Sequence, residues 1–92
     1  MIGLMASIDV TQQSPTTFFV SVDDGDGRST HVVTVMPSDV ERYAPGSSPE
    51  ALIEASFEFL LAREPKESIL ARFELPVIER YFPEYPDVMR GL

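Results

Sequence analysis

The sequence predicts a single α+β domain in which an N-terminal antiparallel β-hairpin packs against three to four short C-terminal helices. In the first third of the chain, apolar and polar residues alternate with a period of two, which is typical of strands. From Pro37 onward the apolar residues recur every three to four positions, and prolines divide this part into short helical segments. The chain has 92 residues, 43% of them hydrophobic, which is enough for one core. Residues 1–92 are therefore treated as one domain.

Three strands are predicted, at about residues 7–11, 16–22 and 30–36. The second and third are rich in β-branched and aromatic residues, which favour strands, and the acidic loop DDGDGRS joins them into a hairpin. The first strand has a weaker pattern. If it pairs with the second strand, the hairpin becomes a three-stranded meander.

The turn chemistry of the hairpin suggests its register. A two-residue Asp26-Gly27 turn would place Val20 opposite Val33, whereas a three-residue Gly25–Gly27 loop with a bulge is the alternative. With the Asp26-Gly27 turn, alternation puts six residues on one inward face: Phe18, Val20, Val22, His31, Val33 and Val35. Burial of this face should select the register.

Four helices are predicted, at about residues 38–43, 49–63, 65–73 and 76–82. Ser38 and Glu41 match a capping box, and proline suits the first turn of each later helix. In the second helix, glutamates four residues apart form a stripe that we interpret as a solvated face. The chain ends, residues 1–5 and 87–92, are expected to be flexible.

Charge and composition narrow the range of partners. The net charge is −8 at pH 7 and no stretch of the chain is basic, so neither nucleic acid nor an anionic membrane is an expected partner. The absence of cysteine excludes disulfides and thiolate chemistry. The sequence contains no signal-peptide pattern and no apolar run of membrane-spanning length, so a cytoplasmic location is expected.

No motif predicts catalysis, a metal site or a cofactor. Asp24 and Asp26 have the spacing of a calcium loop, but Arg28 and Val35 occupy later ligand positions, so a solvated turn is the better interpretation. His31 is the single histidine and has no nucleophile motif beside it. It is expected to be a partly buried strand residue rather than a general base. We therefore predict no catalytic, cofactor-binding or metal-binding residue.

Two surfaces are candidates for binding a protein partner. If the helices cover only one face of the sheet, an apolar patch stays open on the other face. The second surface is the aromatic end of the chain, whose simpler interpretation is closure of the core. The sheet patch contains Phe19, Val32 and Met36, and the aromatic end contains Tyr81, Phe82 and Tyr85.

The segment SFEFLLAREPKESIL, followed by FELPVIERYFPEYP, resembles a family of small uncharacterised bacterial proteins. Members share an FLL-x-REP-x-x-SIL run and a YFPEY-like close, and the resemblance covers roughly residues 40–86. It implies a shared fold. No activity is assigned to the family, so the resemblance supplies no catalytic residue.

The leading functional hypothesis is a small non-catalytic cytoplasmic module for protein interaction or regulation, which is expected to self-associate. One alternative is an enzyme subunit whose site forms at an oligomer interface, using His31 and nearby acids. Another alternative is an antitoxin-like, DNA-associated regulator. Mutation of the sheet patch, His31→Ala and salt-dependent DNA binding would discriminate among these three hypotheses.

Overall fold

The structure, a computed structural model, describes residues 6–91, and these residues confirm the predicted α+β class. Four strands form one sheet, and helices cover its inner face. The strands are β1 (Ser7–Gln12), β2 (Thr17–Asp23), β3 (Arg28–Thr34) and β4 (Arg72–Glu74). The helices are α1 (Pro37–Tyr43), α2 (Pro49–Leu61), α3 (Val77–Tyr81) and α4 (Tyr85–Arg90). The predicted flexible end at residues 1–5 lies outside the described residues.

The strand order in the sheet is β1-β2-β3-β4. The first three strands form an antiparallel meander, which confirms that the weak first strand joins the hairpin. The fourth strand pairs with β3 in parallel. Parallel neighbours need a long crossover connection, and here α1 and α2 provide it.

The observed hairpin register differs by two residues from the predicted one. Val20 lies opposite His31 rather than Val33, because the β2–β3 connection is a four-residue loop, Asp24–Gly27. The backbone N–H of Asp24 donates to the carbonyl of Gly27 across a distance of 3.3 Å, and Gly25 has a φ of +92° that favours glycine. A shift of two residues preserves the face of every side chain. The predicted inward face is therefore intact and buried.

The predicted helix at residues 65–73 is wrong. This segment forms a 3₁₀ turn at Lys66–Ser68, an extended residue at Ile69 and then β4. The residues that flank β4 also bond to β3: the N–H of Val32 donates to the Ala71 carbonyl at 2.8 Å, and the N–H of Leu75 donates to the Thr34 carbonyl at 3.0 Å. A helix this short is marginal on its own, so sheet pairing overrides its apolar spacing.

The predicted flexible end at residues 87–92 is also wrong over the part that the structure describes. Residues 85–90 form α4, with Pro86 in its first turn. Tyr85 and Met89, four residues apart, lie on one face of this helix and are buried in the core. That spacing and the proline are the sequence signal of the helix.

The core lies between the inner face of the sheet and the helices. From the sheet it contains Phe18, Val20, Val22, Val33 and Val35, and from α2 it contains Leu52, Ile53, Phe57, Phe59 and Leu60. Helix α2 begins at the predicted residue, because the Ser48 hydroxyl accepts from the Ala51 N–H at 3.1 Å and Pro49 occupies the first turn. It ends at Leu61, two residues before the predicted end.

Candidate functional site

His31 is a structural residue in this fold. Its side chain is buried on the inner face of β3 and packs 5.3 Å from the ring of Phe57. A carbonyl can only accept, so Nδ1 donates to the Leu70 carbonyl at 2.8 Å. In the neutral ring, Nε2 then accepts from the Ser29 hydroxyl at 2.8 Å. Both nitrogens are engaged, and the ring is not presented to a substrate.

The acidic loop between β2 and β3 is paired with a lysine. Lys66 is buried, and its Nζ donates to Asp24 at 2.8 Å and to Glu67 at 2.7 Å. These hydrogen bonds, more than any other effect, lower the pKa of both carboxyl groups and raise the pKa of Lys66. Within residues 6–91 no group of three or more metal-ligating side chains forms a cluster. The loop is thus tied to the 3₁₀ turn.

The predicted sheet patch lies on the outer face of the sheet, opposite the helices. Phe19 and Val32 are direct cross-strand partners and both are half-buried. Met36 lies beyond the end of β3 and is exposed beside Thr34 and Glu74. The patch is short, because the other residues of this face in β2 and β3 are serines, threonines and ion-paired ends.

The predicted aromatic end is divided by the structure. Tyr85 is fully buried in α4, and its hydroxyl lies 2.6 Å from the Ser56 hydroxyl, so it cannot contact a partner. Tyr81 is 68% exposed, and Phe82 is half-buried against the ring of Phe59 at 5.7 Å. Tyr81 and Phe82 line the same groove.

This groove is a concave surface with a largely apolar lining. It lies between the end of α2, the segment that leads into β4, and α3, and it has a volume of about 180 Å³. Its lining residues are Leu60, Glu64, Ser68, Ile69, Leu70, Phe73, Val77, Ile78, Tyr81 and Phe82. We call it the α2–α3 groove.

The rim of the α2–α3 groove exposes large apolar side chains. Among residues 6–91, four large hydrophobic residues are exposed, and two of them, Leu70 at 47% and Tyr81 at 68%, line this groove. The volume is below the roughly 300–1,000 Å³ typical of small-molecule sites. A space of this size holds one or two apolar side chains.

The sequence indicates only part of this groove. Tyr81 and Phe82 belong to the predicted aromatic end, whereas Leu70 lies in the predicted helix at residues 65–73, which does not form. With β4 at residues 72–74 in place of a helix, Phe73 is buried in the core and Leu70 is exposed. Pro65 does not distinguish the two structures, because its extended backbone before the 3₁₀ turn matches that of Ser48 before α2.

Basic residues do not form a patch on the described surface. Five of the seven, including Arg42 with Glu79 and Arg63 with Glu84, form ion pairs with acidic side chains. None of the helices that residues 6–91 form has the length and apolarity required to cross a membrane.

Comparison with protein-family models, curated proteins and solved structures finds no match. The resemblance to a bacterial family therefore stays a prediction.

Proposed function

We propose that this protein is a non-catalytic interaction module that binds an apolar segment of a partner protein in the α2–α3 groove. The observation that carries the proposal is the pairing of a concave apolar surface with exposed Leu70 and Tyr81 at its rim. Exposed apolar residues gathered around a cleft are typical of protein-binding surfaces, whereas single scattered ones are not. The location in the cytoplasm stays a prediction from the sequence.

The proposal is tested by affinity capture from the native cell extract, followed by binding of the purified partner. Leu70→Ser and Tyr81→Ser remove apolar surface from the rim and are expected to abolish capture. Both side chains are exposed, so each change should alter the free energy of unfolding by only about 0.5 kcal/mol. Val88→Ser is the matched control, because Val88 is an exposed hydrophobic residue outside the groove.

A partner retained by the wild type and by Val88→Ser, but lost from both rim variants, would support the proposal. Equal capture by all four proteins would show that the groove is not the binding surface. Circular dichroism of each variant checks that the fold is retained.

Self-association through the outer face of the sheet is a second candidate function. The cross-strand pair Phe19 and Val32 lies on the face that the helices leave uncovered, which favours this surface. Light scattering over a range of concentrations would detect a dimer, and Phe19→Lys should dissociate it without loss of helicity. A monomer at every concentration would remove this candidate.

A further inference from the structure

We propose that the segment bound in the α2–α3 groove carries a positive charge, with apolar side chains that flank a lysine or arginine which pairs with Glu64. This inference rests on the proposed function and specifies the chemistry of the partner. It follows from the position of one carboxylate, from what would happen to that carboxylate in a complex, and from the charge of the chain as a whole.

Glu64 is the acidic residue among those that line the groove. It follows the end of α2, where its backbone N–H donates to the Leu60 carbonyl at 2.8 Å and fixes its position at the rim. Its side chain is half-buried, and among the residues that the structure describes it forms no ion pair or side-chain hydrogen bond. The carboxylate is therefore available to a bound segment.

The two cations nearest in sequence are engaged elsewhere. Arg63 stacks over the ring of Phe59, with its guanidinium carbon 3.5 Å from the ring centroid, and Nε bonds to Glu84 at 3.3 Å. Lys66 donates to Asp24 and Glu67. Neither side chain neutralises Glu64.

A purely apolar segment would remove water from the Glu64 carboxylate and would offer no hydrogen bond in its place. Leaving an ionised carboxylate desolvated and unpaired is strongly unfavourable, whereas a cation placed beside it offsets that cost and adds a charge-assisted hydrogen bond. The best occupant therefore has apolar side chains for the groove and a cation at its rim. This arrangement would fix the register of the bound segment as well as its charge.

A second copy of this chain is a poor occupant. A symmetric contact between two grooves would bring the two Glu64 carboxylates together, and each chain carries a net charge of −8. A non-symmetric contact would build a ring or an open chain of copies, each of them with the same acidic charge. The charge of the site favours a different, basic partner.

The test is selection of random displayed peptides on the purified full-length protein, after depletion on the Leu70→Ser/Tyr81→Ser variant. We expect the enriched peptides to combine apolar residues with lysine or arginine at a fixed spacing. A synthetic peptide of the enriched sequence should bind Glu64→Gln about tenfold more weakly than the wild type. Glu58→Gln is the matched control, because it removes the same charge from the exposed side of α2 outside the groove.

The results distinguish the proposed binding in the groove from the proposed positive charge of the bound segment. Apolar peptides without a conserved cation, or equal binding to Glu64→Gln, would overturn the basic partner and leave the groove function standing. Equal weakening by Glu58→Gln would show general attraction to an acidic protein and would overturn the role of Glu64. Failure to enrich any peptide that depends on Leu70 and Tyr81 would overturn both proposals.

Discussion

Ser56 and Tyr85 link α2 to α4 inside the core. The Ser56 hydroxyl donates to the Leu52 carbonyl at 2.7 Å, so the Tyr85 hydroxyl is the donor in the 2.6 Å contact between the two side chains. Within the described residues every buried side-chain nitrogen and oxygen has a hydrogen-bond partner. At the residue scale, the buried polar groups therefore link secondary-structure elements through specific hydrogen bonds.

Ser56→Ala is expected to destabilise the protein by about 1–3 kcal/mol, because it leaves the buried Tyr85 hydroxyl without its acceptor. The double variant Ser56→Ala/Tyr85→Phe should cost less than the sum of the single changes, since it removes both partners. Urea unfolding of the four proteins measures this coupling. Strict additivity would show that the contact makes no net contribution.

Lys66→Met should destabilise the protein at neutral pH, because it breaks the contacts with Asp24 and Glu67. The pKa of both carboxyl groups is held below its ordinary value by the lysine, so their contribution to stability is present above the ordinary values of 3.8 and 4.5 and is lost as the pH falls below them. The stability difference between wild type and variant should therefore shrink in acid.

Unfolding free energies measured from neutral pH down through this window test the prediction. Arg28→Met is the control, because its ion pair with Asp23 is solvent-exposed and should contribute little. A difference for Lys66→Met that stays constant through the acid window would contradict the charge-based account.

At the element scale, α4 and β4 are the two elements that differ from the sequence-based expectation. Both are short, and each is stabilised by contacts with neighbouring elements. The strand satisfies backbone groups of β3, and the helix places Tyr85 5.0 Å from the ring of Tyr43 and 5.3 Å from that of Phe59. Pro86 and the spacing of Tyr85 and Met89 do indicate α4 in the sequence, whereas the local pattern of residues 72–74 does not show that they pair with β3.

Met89→Ala is expected to destabilise the protein by about 2–5 kcal/mol, because Met89 is buried and its removal leaves a cavity. The adjacent Val88→Ala should change stability by about 0.5 kcal/mol or less, since Val88 is 43% exposed. Thermal or urea unfolding distinguishes the two variants. Equal, small effects would indicate that residues 85–90 contribute nothing to the core.

Hairpin pairing shows how far sequence reasoning reaches. The alternation of Phe18, Val20 and Val22 predicts correctly which face is buried, but it repeats every two residues and cannot distinguish registers that differ by two. The four-residue loop decides the register, through contacts of Asp23 and Asp24 with the loop backbone at 3.0 Å. These side-chain to backbone hydrogen bonds lie within the loop, so the alternation of apolar residues along the strands does not report them.

At the scale of the whole molecule, the sequence predicts the class of the fold and the outward direction of Phe19 and Val32, but only the Tyr81 and Phe82 side of the groove. Leu70 and Phe73 belong to the groove because the chain enters β4 here and pairs with β3 at residues 72–74. The tie between Lys66 and Asp24 joins residues 42 positions apart, and the tie between His31 and Leu70 joins residues 39 positions apart. Long-range contacts of this kind leave no periodic signal in the sequence.

The free energy of unfolding of the whole molecule should decrease at alkaline pH. Burial, and then the hydrogen bond to Glu79, raise the pKa of Tyr43 to about 12, and burial raises the pKa of Tyr85 as well. A raised tyrosine pKa favours the protonated form, so this stability is complete below the ordinary value of 10.0 and is lost as the pH rises toward 12.

The free energy of unfolding, measured by urea titration at increasing pH, is expected to fall through this window. Tyr43→Phe should make the fall shallower, because one of the two buried ionising groups is gone. An unchanged pH dependence in that variant would contradict the assignment. Tyrosinate absorbance, followed in parallel, shows whether ionisation and loss of structure coincide.

The parallel pairing of β4 with β3 has a consequence for the order of folding. The β1–β2–β3 meander closes through short loops, whereas β4 reaches its partner only after the two intervening helices are placed, and closing so long a segment is entropically slow. We expect the meander to form early and the β3–β4 seam to close last. Pulse-labelling hydrogen exchange would test this, because the Val32 amide, bonded to Ala71, should gain protection after the amides between β1 and β2. The groove forms only after β4 has paired with β3. A segment bound in the groove would therefore slow the separation of β4 from β3, which is the expected first step of unfolding.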